Sequence, residues 1–163
     1  MKIITVDLDR CVGCRNCEMA CSFYRTGHFK REQSNIWVNL YPQERFIVTL
    51  ACVQCETAAC LSICPNGALK RDPGTHAVVV EESRCIGCKM CVQACPFGNI
   101  HMDPEKRVAQ KCNLCEGDPK CVRFCMGKAL RYAEVNEVPE QKRKAVDYKL
   151  RKKEIVLFPG VEK

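Results

Sequence analysis

The chain has 163 residues, enough for one domain or two small lobes, and 16 of them are cysteine. Its formal net charge of +7 counts cysteine as uncharged, so metal-bound thiolates would cancel much of it, which disfavours a nucleic-acid-binding protein. No apolar run approaches the ~20 residues needed to cross a bilayer, and the first ten residues lack the apolar segment of a secretory signal, so we expect a cytoplasmic protein whose reduced thiols bind metal rather than form disulfides.

All 16 cysteines fall into four groups of four, with none left over. The third group, Cys85 to Cys95, has gaps of two, two and three residues and is followed by Pro96. In bacterial ferredoxins this spacing places three thiolates on one [4Fe–4S] cluster and the fourth on a neighbouring cluster. The first group has the same gaps, whereas the middle gap is four residues in the second group and five in the fourth. The groups are Cys11, Cys14, Cys17 and Cys21; Cys52, Cys55, Cys60 and Cys64; Cys85, Cys88, Cys91 and Cys95; and Cys112, Cys115, Cys121 and Cys125.

Zinc is the main alternative for cysteine pairs separated by two residues. A zinc ribbon binds its metal through two such pairs. It would not require the third cysteine of each group, or the fourth cysteine three residues beyond it. Pro65 and Pro96 also follow a last cysteine, as in the ferredoxin motif. The sequence has no Cys-x-x-Cys-His haem motif, no glycine-rich dinucleotide motif and no phosphate-binding loop. We therefore predict four [4Fe–4S] clusters and electron transfer by a chain that is not itself an enzyme.

The first predicted strand, Lys2–Asp7, leads directly into the first cysteine group. Between the first two groups, residues 22–51 contain two apolar runs, Ile36–Tyr41 and Arg45–Leu50, separated by a turn that contains proline. We predict an inserted hairpin here, which covers a cluster or docks a partner. Trp37 in this hairpin is predicted to pack rather than to relay electrons.

The second and third groups are joined by a predicted hairpin, in which Gly67–Arg71 and Ala77–Val80 flank an Asp72-Pro-Gly74 turn. The third and fourth groups are joined by residues 96–111, which we expect to form a polar connector between two lobes. After the fourth group, Gly127–Tyr132 repeats the Gly-Ala-Leu strand that follows the second group.

These flanking repeats make the fourth group the counterpart of the second, and the first group the counterpart of the third. We therefore predict an α+β fold with two pseudo-symmetric ferredoxin-like lobes that are stabilised by their clusters. Residues 1–21 plus 112–135 would form one lobe, and residues 52–95 the other. Sequential pairing of the groups is the alternative, but it leaves the flanking repeats unexplained. The predicted ligand sets are Cys11, Cys14, Cys17 and Cys125 (cluster 1); Cys112, Cys115, Cys121 and Cys21 (cluster 2); Cys52, Cys55, Cys60 and Cys95 (cluster 3); and Cys85, Cys88, Cys91 and Cys64 (cluster 4).

The segment 136–163 contains no cysteine and is rich in basic residues. It includes Lys142-Arg-Lys144, Arg151-Lys-Lys153 and the apolar run Ile155–Phe158. One interpretation is a solvated helix or strap on the surface. The other is a docking tail for a larger subunit, anchored by the apolar run.

Across nearly its whole length the chain resembles the four-cluster polyferredoxin subunits that accompany molybdenum and tungsten enzymes and some hydrogenases. The resemblance implies nested ligation and a role as a wire between a catalytic subunit and an electron donor or acceptor. The matching motifs are Cys11-Val-Gly-Cys-Arg-Asn-Cys17, Cys52-Val-Gln-Cys55, Cys64-Pro65, Cys85-Ile-Gly-Cys88 and Lys111-Cys-Asn-Leu-Cys115.

Two features separate the chain from the dimethyl-sulfoxide-reductase type. The segment Glu116–Lys120 inside the fourth group is short, and Ser22 and Met126 stand where a proline could follow the last cysteine. The chain looks more like the small iron–sulfur subunit of tungsten-dependent aldehyde oxidoreductases, whose relatives accompany tungsten-containing benzoyl-CoA reductases. That resemblance implies a hetero-oligomer with a large tungsten- or molybdenum-pterin catalytic subunit and a flavin/NAD subunit, without a membrane span in this chain.

Other functions stay open at this point. A free-standing soluble ferredoxin would be a stable monomer. The chain also suits the electron-transfer subunit of a hydrogenase or of a dimethyl-sulfoxide-reductase-type enzyme. A cysteine-rich nucleic-acid-binding protein would instead contain zinc and bind DNA or RNA in a salt-sensitive manner.

Overall fold

Eight short strands form four separate two-stranded antiparallel sheets in the computed structural model, which describes residues 1–138 and Arg143. The strands are β1 (Lys2–Val6), β2 (Ile36–Tyr41), β3 (Phe46–Ala51), β4 (Leu69–Arg71), β5 (Val78–Val80), β6 (Ile100–Met102), β7 (Ala109–Lys111) and β8 (Leu130–Glu134). They are connected by the helices α1 (Asn16–Thr26), α2 (Ala59–Ser62), α3 (Met90–Ala94) and α4 (Lys120–Arg123). Short 3₁₀ turns span Leu8–Arg10, Arg31–Gln33, Glu82–Arg84 and Leu114–Gly117.

Strands from opposite ends of the described chain meet in one sheet. β1 pairs with β8 in antiparallel register, with Lys2 opposite Glu134 and Val6 opposite Leu130. The strand that precedes the first cysteine group is thus held against the strand that follows the fourth. This is the pairing that the flanking repeats predict.

β4 and β5 form the predicted hairpin between the second and third cysteine groups. Its turn begins at Asp72, whose carboxylate accepts hydrogen bonds from the backbone N–H and the hydroxyl of Thr75, both at 2.7 Å. Aspartate favours turns because its side chain accepts such bonds from residues just beyond it. The Asp-Pro-Gly sequence was therefore sufficient to predict this hairpin.

The sheets β1–β8 and β4–β5 continue into their cysteine groups in the same way. The N–H of Asp7 donates to the carbonyl of Ala129 at 2.8 Å, and the N–H of Glu81 donates to the carbonyl of Ala68 at 2.7 Å. In each case a 3₁₀ turn follows and ends at the first cysteine of the group. Local geometry therefore repeats along with the sequence.

β2 and β3 form the predicted hairpin within residues 22–51. Ile36 and Val38 on β2 are buried against the rest of the chain. The hairpin is joined to helix α1 by the fully buried carboxylate of Glu18, which accepts a 2.8 Å hydrogen bond from the N–H of Val38. The same carboxylate accepts a 2.8 Å bond from the guanidinium of Arg31.

Helices α1 and α3 lie in cysteine groups of equal spacing but differ in length, because different residues come after the last cysteine of those two groups. α3 ends directly before Cys95–Pro96, since the residue that precedes a proline is disfavoured in helical conformation. α1 has Ser22 in the corresponding place and continues for another turn. It stops where Gly27 takes a left-handed φ of +73° and donates its N–H to the carbonyl of Phe23.

Residues 96–111, the predicted polar connector, contain a hairpin that the sequence did not reveal. β6 pairs with β7, with Ile100 opposite Lys111, and both of these residues are buried. Asp103 stabilises the turn by accepting hydrogen bonds from two backbone N–H groups at 2.8 Å. Every two consecutive cysteine groups are therefore joined by a hairpin. The hairpin within residues 22–51 is the longest of the three, with six residues in each strand.

Two hydrophobic cores lie within the described residues, and cysteines fill part of each. The first core draws on residues 4–51 and 114–130 together with Ala77, and the second on residues 58–109. Because cysteine side chains occupy core positions, the stability of each core depends on what those thiols bind. The first core includes Ile4, Ile36, Val38, Leu114 and Leu130 with Cys17, Cys21 and Cys121, and the second includes Ala58, Leu69, Val78, Ile100 and Ala109 with Cys91.

The predicted docking tail, residues 136–163, lies outside the described residues apart from residues 136–138 and Arg143. Both interpretations of the tail therefore stay predictions. In the part of the chain that is described, no helix has the length and apolar character that crossing a membrane requires.

Candidate metal centres

Three of the four predicted ligand sets line common cavities. In each cavity three cysteines come from one group and the fourth from its counterpart group. Sequential pairing of the first group with the second, and of the third with the fourth, does not match these cavities. The cavities are lined by Cys52, Cys55, Cys60 and Cys95; by Cys64, Cys85, Cys88 and Cys91; and by Cys11, Cys14, Cys17 and Cys125.

The remaining walls of these cavities are largely apolar. Leu69 lines the cavity of Cys64, and Leu130 lines that of Cys125, at the same distance in sequence from the cysteine. The cavity of Cys95 is closed by Ile100 among other residues. An apolar shell limits access of water and so influences the potential of any redox group inside it.

The fourth predicted set, Cys21, Cys112, Cys115 and Cys121, is linked by electrostatic effects. Burial, together with the nearby charges of Cys52 and Cys21, raises the pKa of Cys112 to about 12. Burial likewise raises the pKa of Cys121, and the three largest charge effects on that thiol come from the other members of the set. These four side chains therefore lie close enough to sense one another's charge.

Left-handed residues bend the backbone within the first and third groups. Gly13 and Gly87 have φ values of +67° and +70°. Arg15 and Lys89, just before helices α1 and α3, have φ values of +61° and +64°. A Cβ atom at Gly87 would lie 2.7 Å from the carbonyl oxygen of Arg107, so this position requires glycine. The bends allow three closely spaced thiols to reach one cavity.

Backbone N–H groups point at several cysteine sulfurs. The N–H of Ala68 donates to Cys64 Sγ at 3.2 Å, and the N–H of Ala129 donates to Cys125 Sγ at 3.2 Å. Further bonds run from Asn35 to Cys21 at 3.3 Å, from Ala109 to Cys85 at 3.3 Å and from Leu114 to Cys112 at 3.4 Å. Such donors stabilise negative charge on sulfur. Although burial opposes them, the N–H groups of Leu69 and Ala68 hold the pKa of Cys64 below its usual value.

Most of the perturbed thiols favour the neutral form until a cation arrives. Burial raises the pKa of Cys17 to about 12, and the negative charge of Glu18 contributes to that rise. Burial also raises the pKa of Cys60 and of Cys91. Such thiols are protonated at pH 7, and bound iron would displace their protons by compensating the thiolate charge. Clustered soft sulfur donors, N–H donors and apolar walls together fit thiolate-held [4Fe–4S] clusters.

Two buried polar side chains, Gln54 and Lys111, connect one cavity with the fourth cysteine set. Both line the cavity of Cys52, Cys55, Cys60 and Cys95. The ammonium group of Lys111 donates to Gln54 Oε1 at 3.2 Å, and Gln54 Nε2 donates to the carbonyl of Cys112 at 2.8 Å. The two residues thus bridge the third and second predicted cluster sites.

Known protein families match most of this chain. The 4Fe-4S dicluster domain family matches residues 43–135, which is more than half of the chain. The chain belongs to this family. The 4Fe-4S binding domain family also matches residues 3–26 of the same chain. The two ranges together contain all 16 cysteines.

Several relatives of this chain have the names of electron-transfer proteins. It is 38% identical to the thiosulfate reductase electron transfer subunit PhsB of Salmonella typhi, over 80% of this chain and 74% of PhsB. It is 42% identical to the aliphatic sulfonate oxidoreductase, polyferredoxin-like subunit, of Pyrococcus furiosus, over 75% and 70% of the two chains. It is 32% identical to the electron transport protein HydN of Escherichia coli, over 85% and 91%. The chain is thus a non-catalytic iron–sulfur electron-transfer subunit, related to those of oxidoreductases.

The sequence indicated the cysteines as candidate ligands but did not indicate the buried polar residues around them. Glu18 and Gln54 were not singled out, and Lys111 entered only as part of a motif. Gln54 lies inside a Cys-x-x-Cys pair and Lys111 directly precedes Cys112, which are the only local signals they offer. Their distinguishing property is burial, which depends on the tertiary fold.

Proposed function

We propose that the chain holds four [4Fe–4S] clusters and passes electrons singly between a catalytic oxidoreductase subunit and a second redox partner. The clusters supply the one-electron chemistry, and the chain supplies ligands, spacing and an apolar shell. The observation that carries this proposal is that cysteines from counterpart groups line the same cavities.

The proposed ligand sets are the nested ones. Clusters 1, 3 and 4 would be held by the three sets that line cavities, and cluster 2 by Cys21, Cys112, Cys115 and Cys121. For cluster 2 the support is that Cys21 raises the pKa of Cys112 and Cys115, and that Cys21, Cys112 and Cys115 raise the pKa of Cys121. The N–H groups directed at Cys21 and Cys112 also suit thiolate ligands.

The proposed division into lobes follows the cores and the strand pairs. Residues 1–21 with 112–135 would form one lobe and residues 52–95 the other, with 22–51 as the inserted hairpin and 96–111 as the inter-lobe segment. The matching β1–β8 and β4–β5 sheets support this division, and so do the two cores, except that Ala77 of the second lobe packs in the first core. In this proposal the basic segment after residue 135 is the docking tail.

Single-ligand variants test the nested ligation. Cys95→Ala removes a sulfur from cluster 3, so its electron paramagnetic resonance spectrum should lose or change the same signal as Cys55→Ala, the matched control. Cys88→Ala should change a different signal, that of cluster 4. If Cys95→Ala instead reproduced the spectrum of Cys88→Ala, the nested ligation would be wrong.

An aromatic groove between α1 and α4 is the surface that we assign to the catalytic subunit. Phe23, Phe29 and Phe124 line it and are 50%, 67% and 58% exposed. The rings of Phe23 and Phe29 stack with centroids 4.7 Å apart. Large exposed apolar patches are typical of interaction sites. Because α1 and α4 carry proposed ligands of clusters 1 and 2, a subunit seated in this groove would lie close to both clusters.

The favoured catalytic partner is a tungsten-dependent aldehyde oxidoreductase subunit, with a flavin/NAD subunit as the second partner. This choice rests on the resemblance in size and on the short gap within the fourth cysteine group. A second candidate is an enzyme that acts on an oxidised sulfur compound, because two relatives are named for thiosulfate reductase and aliphatic sulfonate oxidoreductase. The cytoplasmic location stays part of the proposal.

Anaerobic affinity purification from the native host tests the subunit role. We expect a large subunit to co-purify, with tungsten or molybdenum present beside iron. Activity of the complex with aldehydes would support the favoured partner, and activity with thiosulfate or aliphatic sulfonates the second candidate. Iron alone, with no companion protein, would overturn the subunit role in favour of a free-standing ferredoxin.

A further inference from the structure

Lys111 is a buried cation whose hydrogen-bond partners are all uncharged. Lys111 is only 7% exposed, and its ammonium group donates a hydrogen bond to the carbonyl of Val78 at 2.6 Å. The other two acceptors are Gln54 Oε1 at 3.2 Å and the carbonyl of Cys112 at 3.4 Å. None of the ion pairs found within residues 1–138 includes Lys111. A buried ammonium is strongly disfavoured unless negative charge compensates it.

Two proposed cluster sites lie next to this ammonium group. Lys111 lines the cavity of Cys52, Cys55, Cys60 and Cys95, and it directly precedes Cys112 in the chain. Its positive charge opposes the burial that raises the pKa of Cys60 and of Cys112. The charge of Lys111 therefore acts on ligands of both cluster 3 and cluster 2.

We propose that Lys111 raises the reduction potentials of clusters 2 and 3, whose proposed ligands lie in different lobes. The inference rests on the proposed function, because it requires the clusters. A cubane with four thiolates carries a charge of about −2 when oxidised and gains one more negative charge on reduction. A fixed nearby cation in a poorly polarisable interior stabilises the more negative state more strongly.

Each transfer between the two sites moves one electron. One cluster is oxidised as the other is reduced, and neither a proton nor a covalent bond changes. Lys111 takes no part in the transfer itself, so it acts as a tuning residue. A purely structural bridge, made by the hydrogen bonds of Lys111 to Gln54 and Val78, would stabilise the lobes without affecting potentials. The two roles therefore differ in a measurable quantity.

Potentiometric titration of the anaerobically purified protein, followed by electron paramagnetic resonance, tests the proposal. In Lys111→Met we expect unchanged iron content and a lower potential at one or two of the four clusters. The equilibrium constant for their reduction should fall at least about tenfold, which corresponds to about 59 mV for one electron. Lys111→Arg retains the charge and should retain the wild-type potentials. Lys106→Met removes an exposed lysine from the turn of the same hairpin and is the matched control.

Unchanged potentials in a fully loaded Lys111→Met protein would overturn the inference and leave a structural role. If Lys111→Met fails to assemble its clusters, a second variant, Gln54→Glu, tests the proposal instead. It introduces a carboxylate where Oε1 lies 3.2 Å from the ammonium group, and it should lower the same potentials. Unchanged potentials in Gln54→Glu would also overturn the inference. Wild-type protein without clusters would instead overturn the proposed function, so the two failures are distinguishable.

Discussion

Glu18 is a fully buried carboxylate that joins three parts of the chain. It lies in the first turn of α1, accepts a hydrogen bond from the N–H of Val38 on β2 and pairs with Arg31 in the intervening 3₁₀ turn. Hydrogen bonds to a charged acceptor are stronger than neutral ones, and a buried donor that loses its acceptor is costly. Glu18 thereby holds the hairpin β2–β3 against the helix that carries two proposed ligands.

Glu18→Ala should lower the free energy of unfolding by ~1–3 kcal/mol, because the N–H of Val38 would lose its acceptor. Thermal unfolding followed by circular dichroism under anaerobic conditions measures the change. Glu44→Ala, at the exposed turn between β2 and β3, is the control and should have little effect. Equal melting temperatures for the two variants would contradict this role of Glu18.

His101 is a second residue whose environment has a measurable consequence. Its ring meets the ring of Trp37 edge-on with centroids 5.8 Å apart, and its Nε2 is buried with no hydrogen-bond partner among the described residues. Burial, and to a lesser degree the charge of Arg25, lower the pKa of His101 below its usual value, against an opposing effect of Asp103. The folded protein therefore favours neutral His101, whereas the unfolded chain protonates it near pH ~6.5.

The contribution of His101 to stability should be present above pH ~6.5 and should be lost as the pH falls through its lowered pKa. His101→Gln should accordingly lose less stability than wild type between pH ~7.5 and ~5.5. Anaerobic melting temperatures at both pH values test this. Acid damage to clusters is common to both proteins and cancels in the comparison. An identical loss in the two proteins would show that His101 does not contribute.

At the scale of elements, the hairpins differ in how readily the sequence reveals them. Asp72-Pro-Gly74 contains strong turn chemistry, and the apolar runs of β2 and β3 are long, so both of those hairpins were predictable. β6 and β7 have only three residues each, and β7 buries Gln110 and Lys111 beside Ala109. Polar residues with buried partners have no periodic apolar pattern, which is why the sequence did not reveal a hairpin within residues 96–111.

The aromatic groove between α1 and α4 makes a prediction about assembly. Phe29→Ser and Phe124→Ser should each weaken association with the catalytic subunit by at least ~1 kcal/mol, since exposed aromatic side chains at interfaces are frequent anchors. Co-purification yield at fixed salt measures the effect. Phe46→Ser on β3 removes a ring that is 51% exposed outside the groove and is the control. Undiminished co-purification, with iron content unchanged in all variants, would contradict the assignment of this surface.

At the scale of the whole molecule, the cysteines could be identified as site residues from sequence because their spacing reflects cluster chemistry directly. The pairing of β1 with β8 was predictable because similar strands repeat beside the cysteine groups. The surroundings of the sites were not predictable. Lys111 and Gln54 are buried by the tertiary fold, and no spacing rule encodes that burial.

The charges and the core of the molecule both depend on bound iron in this account. The chain has a formal charge of +7, whereas four oxidised clusters with their thiolates would contribute about −8. Buried cysteines also occupy positions in both hydrophobic cores. An iron-free chain would therefore be strongly basic and poorly packed, and we expect it to unfold.

Iron and sulfide analysis of anaerobically purified protein, before and after chelation, tests the central proposal most directly. We predict about sixteen irons per chain and loss of the folded circular dichroism spectrum once the iron is removed. Far fewer irons than about sixteen, or an iron-free chain that keeps the same spectrum and melting temperature, would contradict the proposal.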